Sequence, residues 1–188
     1  MTLIRLTNAK SRLSLVAGKD EIVRIYREKI EDGWAKGYVV SAGRDVFVLQ
    51  LIDDTIRFDG YLCARYSDVT RLDIPAPHSK FIEKALKARG LDRPVTPQLD
   101  VSSLPALLRS AGEISQLVTI HVEYEDESVC YIGKVVSVEN SEIILHEISP
   151  DGEWDETPES YSLSIISGVG FGGSYEEALL LVAGDSDA

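Results

Sequence analysis

Hydrophobic and polar residues change their period several times along this chain, and each change predicts an element. From Ile22 to Lys29 apolar and charged residues interleave as in a strand, Glu31-Asp32-Gly33 reads as a turn, and Trp34 to Ser41 reads as the return strand. Ala42-Gly43-Arg44 turns again. The run from Val46 to Ile52 is nearly all apolar, which predicts a central strand buried on both faces. Asp53-Asp54-Thr55 is a further turn, and short strands are expected from Tyr61 to Tyr66 and from Val69 to Ile74. After Pro75-Ala76-Pro77 the period lengthens. A helix is expected with His78 at its cap, running to about Arg89 and stopped by Gly90. Phe81, Ile82, Ala85 and Leu86 would face inward, and Lys80, Lys84 and Lys87 outward. A short helix near Thr7 to Leu13 is expected before the first strand.

The second half runs through the same programme. Ser102-Ser103 caps a helix to about Ala111, with Pro105 in the first turn where no amide bond is lost. Strands are expected from Leu117 to Tyr124, Val129 to Val138 and Glu142 to Ile148, with the last ones between Tyr161 and Phe171. Ser174 caps a closing helix that points Tyr175, Ala178, Leu179 and Val182 inward. The tail from Gly184 to Ala188 is expected to be disordered.

The repetition reaches individual residues. Gly37-Tyr38-Val39-Val40-Ser41 returns 96 residues later as Gly133-Lys134-Val135-Val136-Ser137. At the same offset Ile52 answers to Ile148 and Phe58-Asp59 to Trp154-Asp155, and a slip of one residue upstream is a change of loop length. The expected fold class is mainly β with flanking helices (α+β), as two tandem copies of a small five-stranded barrel. The copies would span 1–90 and 102–188, joined by a proline-containing linker over 91–101.

At Gly37 to Leu51 and Gly133 to Ile148 each copy resembles the first motif of Sm-like proteins: a Gly on the second strand, aliphatics after it, a polar turn, then an aliphatic strand with Leu near its end. The resemblance implies an Sm- or SH3-type barrel. The residues by which Sm-like proteins face an RNA base are not matched. Asp45 lies two residues too far from Gly37 with no Asn after it, Asn140 lacks its Asp, and Ile166-Ser167-Gly168 has the Gly without the Arg.

Charge sharpens the division. The chain of 188 residues carries a net −12, but residues 1–95 hold 17 basic against 13 acidic side chains, and residues 96–188 hold 2 against 18. Copies of opposite sign are expected to have diverged toward different neighbours, or toward each other. No apolar run approaches the ~18 residues of a membrane span, and the N-terminus lacks a signal-peptide pattern, so the expectation is a cytoplasmic protein with no membrane partner. Cys63 and Cys130, one per copy and without metal or redox spacing, are expected to be small buried hydrophobes.

Candidate chemistry is sparse. His121 and Glu123 on one strand and His146 on another could converge as a metal-ligand set, though nothing in the spacing demands it. The acidic pairs near Asp151 and Asp155 fall in a turn open to water, without the burial that tunes a general acid or base. Gly168, Gly170, Gly172 and Gly173 precede Tyr175-Glu176-Glu177, which would repel phosphate, and no Gly-x-Ser-x-Gly occurs. A basic stripe is the remaining candidate, as a nucleic-acid interface: Arg24, Arg27, Lys36, Arg44, Lys80, Lys84 and Lys87, with Lys29, Arg89 and Arg93, interleaved by Tyr26, Trp34 and Tyr38. The expected function is a non-enzymatic binding or adaptor protein without a cofactor, its partner a protein or a second copy. RNA binding through the first copy is the alternative, and a metal-dependent enzyme at His121 and His146 the third.

Overall fold

A computed structural model describes residues 2–91 and 94–184, with side chains from Ala9 onward. Two compact units divide the chain, Met1–Pro97 and Gln98–Ala188. Unit 1 contains α1 (Thr2–Val16), β1 (Ile22–Tyr26), β2 (Ala35–Ala42), β3 (Val46–Ile52), β4 (Phe58–Arg65), β5 (Arg71–Asp73) and α2 (Ser79–Ala88). Unit 2 contains α3 (Leu104–Ile114), β6 (Val118–His121), β7 (Cys130–Val138), β8 (Glu142–Glu147), β9 (Glu159–Ser162), β10 (Gly168–Phe171) and α4 (Ser174–Ala183). The class is α+β, mainly antiparallel sheet. Among the described residues no helix is long and apolar enough to cross a membrane.

Within unit 1 the strands lie in the order β5-β1-β2-β3-β4, and within unit 2 in the order β10-β6-β7-β8-β9. Each order places the unit's fifth strand beside its first. The sheets are open: β5 has only three residues, all paired with β1, and it does not reach β4.

The central hairpins share their irregularities. Gly37 lies opposite Leu51 and Gly133 opposite Glu147. A Cβ on Gly37 would run into the Gln50 carbonyl, and one on Gly133 into the His146 carbonyl. Glycine is required here by the approach of the partner backbone. Two residues later the register shifts, between Val39 and Ser41 in one hairpin and between Val135 and Ser137 in the other. A bulge at this place bends and twists the strand beyond the glycine.

The next turn also recurs. Asp53 N–H donates to Arg57 O (3.0 Å) and Ile56 N–H to Asp53 O (3.2 Å); 96 residues on, Ser149 N–H donates to Glu153 O and Gly152 N–H to Ser149 O, both at 2.9 Å. The first side chain caps each turn: Asp53 Oδ1 accepts from Arg57 N–H (2.8 Å), Ser149 Oγ from Glu153 N–H (3.2 Å). Both turns need a left-handed residue, supplied by Gly152 at φ 77° and, with strain, by Ile56 at φ 58°.

The unit 1 core joins Leu13 and Val16 of α1 to Val23, Ile25, Val39, Phe47, Leu49 and Ala64 of the sheet. In unit 2, Leu117, Ile148 and Leu179 form a cluster on which Ile132, Trp154 and Leu180 pack. Phe47, Leu49, Ile143 and Leu145 are fully buried, as a central apolar strand requires.

Two helices differ from expectation. On α2, Ile82 and Leu86 are buried but Phe81 is 64% exposed beside Lys80 and Lys84, so the inward face is narrower than a period of 3.6 suggests. On α4 only Leu179 is buried, while Tyr175, Ala178 and Val182, expected inward, are exposed, as is Leu181. His78 occupies the α2 cap position, but its side chain makes no capping bond. The expected linker is tied down at its start: Val95 N–H donates to Gln50 Oε1 (2.8 Å) and Tyr61 donates its hydroxyl to Val95 O (2.9 Å). Asp92 and Arg93 of that linker, and Asp185 to Ala188 of the expected tail, lie outside the described residues.

Candidate functional site

Each unit has a groove at the same place in its sheet. In unit 1 the groove has a volume of about 520 Å³ and runs along Trp34, Ala35 and Lys36 at the entry to β2, Leu51 and Ile52 at the exit of β3, and Asp53, Asp54 and Asp59 around the following turn. In unit 2 the groove has a volume of about 370 Å³ and runs along Cys130, Tyr131, Ile132, Glu147, Ile148, Ser149, Pro150 and Asp155. Those eight positions are the first eight displaced by 96 residues. The hairpin geometry explains this. The glycine, the bulge two residues after it and the hydrogen-bonded turn recur at the same offset, so the same stretches of chain line both grooves.

The backbone is shared, but the chemistry is not. In unit 1 the exposed Trp34 ring is approached by two cations, with the Arg24 guanidinium carbon 4.0 Å and Lys36 Nζ 5.1 Å from its centroid. Such contacts are worth ~0.5–1 kcal/mol at exposed sites and more where water is excluded. Lys36 is buried, and its Nζ reaches the exposed Asp54 carboxylate at 3.2 Å. The groove thus holds a cation of its own among the carboxylates of Asp32, Asp53, Asp54 and Asp59.

In unit 2, Ile132 stands at the position of Lys36 and Glu147 at that of Leu51. Tyr161 stacks on Tyr131 with centroids 4.4 Å apart and donates its hydroxyl in a short bond to Glu147 Oε1. The Glu147 carboxyl is pushed above the ordinary carboxylate range, first by burial and then by the charges of Asp155 and Glu159, against the opposing Tyr161 bond. His146 packs its ring on Trp154, and its Nε2–H donates to the Asp155 carbonyl at 2.7 Å, which fixes the backbone from which that carboxylate projects. Tyr175 and Leu179 of α4 close one side of the groove.

Of the expected basic stripe, the structure brings Arg24 and Lys36 together around Trp34. Arg27 is buried and its Nε donates to Glu31 Oε1 at 2.6 Å, pinning the β1–β2 turn. Arg44, Lys29, Lys80, Lys84 and Lys87 are exposed, and Arg89 donates to the Thr55 and Ile56 carbonyls of the turn. Tyr26 and Tyr38 are buried, so of the three interleaved aromatics only Trp34 is open to a ligand.

The histidines take separate tasks. His121 Nδ1 lies 3.6 Å from Glu123 Oε1, and Glu123 is held by a short bond from the buried Ser167 hydroxyl. His146 belongs to the Trp154 stack. Among the described residues no group of three or more His, Cys, Asp or Glu side chains is placed to hold a metal ion. Cys63 is buried and its thiol is pushed up to about 12 by that burial; Cys130 is exposed, contrary to expectation, and its thiol is raised by desolvation and by Glu176 and Glu123. Neither is activated as a nucleophile. Comparison with protein-family models, with curated proteins and with solved structures returns no match.

Proposed function

We propose that this chain is a non-catalytic binding or adaptor protein built from two duplicated units of the small Sm/SH3-like barrel type, opened along one edge, each offering the groove at the head of its central hairpin to a protein partner. The observation that carries this reading is the recurrence of eight groove positions at one spacing. A duplicated recess with diverged side chains suits two related but different binding tasks. The unactivated thiols and the histidine locked on Trp154 weigh against nucleophilic or general-base chemistry in the same places.

The reading is tested by selecting a displayed random-peptide library on the whole chain and re-measuring the selected peptides on Trp34→Ala and Tyr131→Ala variants. Two peptide classes are expected, each lost with one substitution. Peptides that ignore both substitutions would place the binding surface elsewhere.

One observation favours RNA as a second reading. The solvent side of α2 carries the exposed Phe81 together with the exposed Lys80, Lys84 and Lys87. Salt-sensitive retention of single-stranded RNA, abolished by Lys80→Ala with Lys84→Ala and Lys87→Ala, is its signature.

A further inference from the structure

We infer that the unit 2 groove receives a lysine side chain from a basic segment of a partner protein. The inference rests on reading the grooves as partner sites and goes one step beyond it, by using one groove as the template for the other's ligand. In unit 1 the recess contains a lysine already. Lys36 is buried to 8% side-chain exposure, lays its ammonium against an indole and ends on a carboxylate. In unit 2 that lysine is Ile132, and the side chain that was Leu51 is Glu147. Asp53 and Asp54 become Ser149 and Pro150, so the eight matched positions hold three carboxylates with one lysine among them in unit 1, and in unit 2 two carboxylates, Glu147 and Asp155, with no cation among them.

What remains is complementary to a lysine at both ends. Ile132, Ile148 and Leu179 form an apolar floor for a four-carbon stem, and Glu147 and Asp155 stand where its ammonium would arrive, with Tyr131 and Tyr175 beside them. The charges acting on Glu147 are Asp155 and Glu159, both acidic. Residues 96–188 hold only two basic side chains, Arg109 and Lys134. Arg109 donates to the Val138 carbonyl, and neither residue lines the groove. The surrounding excess of carboxylates draws a basic segment toward this unit, and the groove selects one side chain from it.

The test uses the whole chain and a nine-residue probe peptide, Gly-Ser-Gly-Leu-Lys-Leu-Gly-Ser-Gly, with versions carrying norleucine or acetyl-lysine at the centre. Amide shifts followed by NMR titration are expected to move at Tyr131, Ile132 and Ile148. Norleucine, acetyl-lysine and the isosteric double variant Glu147→Gln with Asp155→Asn should each weaken binding about tenfold or more, since each removes a charged hydrogen bond. A Glu139→Gln with Glu142→Gln variant, equal in charge change but outside the groove, should bind as the parent does. Equal weakening by the two double variants would reduce the effect to diffuse attraction and overturn the inference. Norleucine binding as well as lysine, still lost with Tyr131→Ala, would overturn the inference and leave the groove as a partner site. Failure of all three peptides together with failure of the library selection would remove both. Concentration-dependent self-association abolished by the groove variant would give the recess to a second copy, which also overturns it.

Discussion

Between Ala35-Lys36 and Tyr131-Ile132 the backbone keeps its course while the side chains exchange roles. One hairpin buries a cation against a tryptophan and lines the recess with Leu51; the other half-buries an isoleucine and lines it with Glu147. The glycine that admits the neighbouring carbonyl, the bulge two residues later and the hydrogen-bonded turn are kept in both. The lesson is that backbone constraints and ligand chemistry sit on different residues here. The first set is common to both units and the second is not, so the two recesses share a place on the hairpin and differ in what they can hold.

The largest effects should come from the shared part. Leu49→Ala and Leu145→Ala each remove a fully buried side chain from a central strand, and each should cost ~2–5 kcal/mol. The chain has two tryptophans, Trp34 in unit 1 and Trp154 in unit 2, so Trp154→Phe and Trp34→Phe backgrounds report urea unfolding of one unit at a time. A loss below ~0.5 kcal/mol at either leucine would break the equivalence of β3 and β8. Next come Gly37→Ala and Gly133→Ala, at ~1–3 kcal/mol each, because the new methyl meets backbone that cannot rotate away. The loss should be greater at Gly37, where the approach is closer.

Much of the shared part was legible in the sequence, and most of the differing part was not. The apolar run from Val46 to Ile52 marked the central strand, because it is short, rich in β-branched and aromatic residues and bounded by turn residues on both sides. The grooves escaped notice because their side chains do not match: Trp34 against Cys130 and Lys36 against Ile132 share no chemistry to search for. The surviving signal was Ile52-Asp59 against Ile148-Asp155, two matched pairs at one offset. Arg27 was read as surface, although Glu31 four residues on was there to pair with it in the turn. Phe81, Tyr175 and Val182 show the limit of periodicity in ten-residue helices, where the packing neighbours decide how wide the buried face is.

A smaller effect sharpens the comparison at the turn. Ile56 and Gly152 hold the same left-handed position, but only glycine does so without steric cost. Gly152→Ala should destabilise unit 2 by ~1–2 kcal/mol, from the positive φ and from a Cβ that meets Val182. Ile56→Asn should stabilise unit 1 by up to ~1 kcal/mol, since asparagine tolerates this conformation far better than a β-branched residue. Equal signs in the two single-tryptophan backgrounds would show that the turns differ in conformation.

The smallest and most discriminating effect is on charge. In unit 1 an acid meets the groove's own cation, so Asp54→Asn should cost up to ~1 kcal/mol, less in high salt. In unit 2 the acid has no such partner in the groove, and Glu147→Gln should stabilise at neutral pH. The sign follows from the raised carboxyl of Glu147, whose ordinary value is 4.5. Well below that value the carboxyl is protonated both folded and unfolded, and its ionisation affects neither state. As pH climbs past it, the unfolded chain releases the proton while the folded chain retains it, so wild-type stability falls until the folded carboxyl has ionised too. Glutamine removes that fall while keeping an oxygen for the Tyr161 hydroxyl. The variant's advantage should therefore be absent near pH 3, appear above 4.5 and level off once Glu147 is ionised in the folded unit. Urea midpoints read from Trp154 across that range decide the matter. A Glu147→Gln that destabilises at pH 7 would mean the groove already neutralises its acid, and the two recesses would then be electrostatically alike.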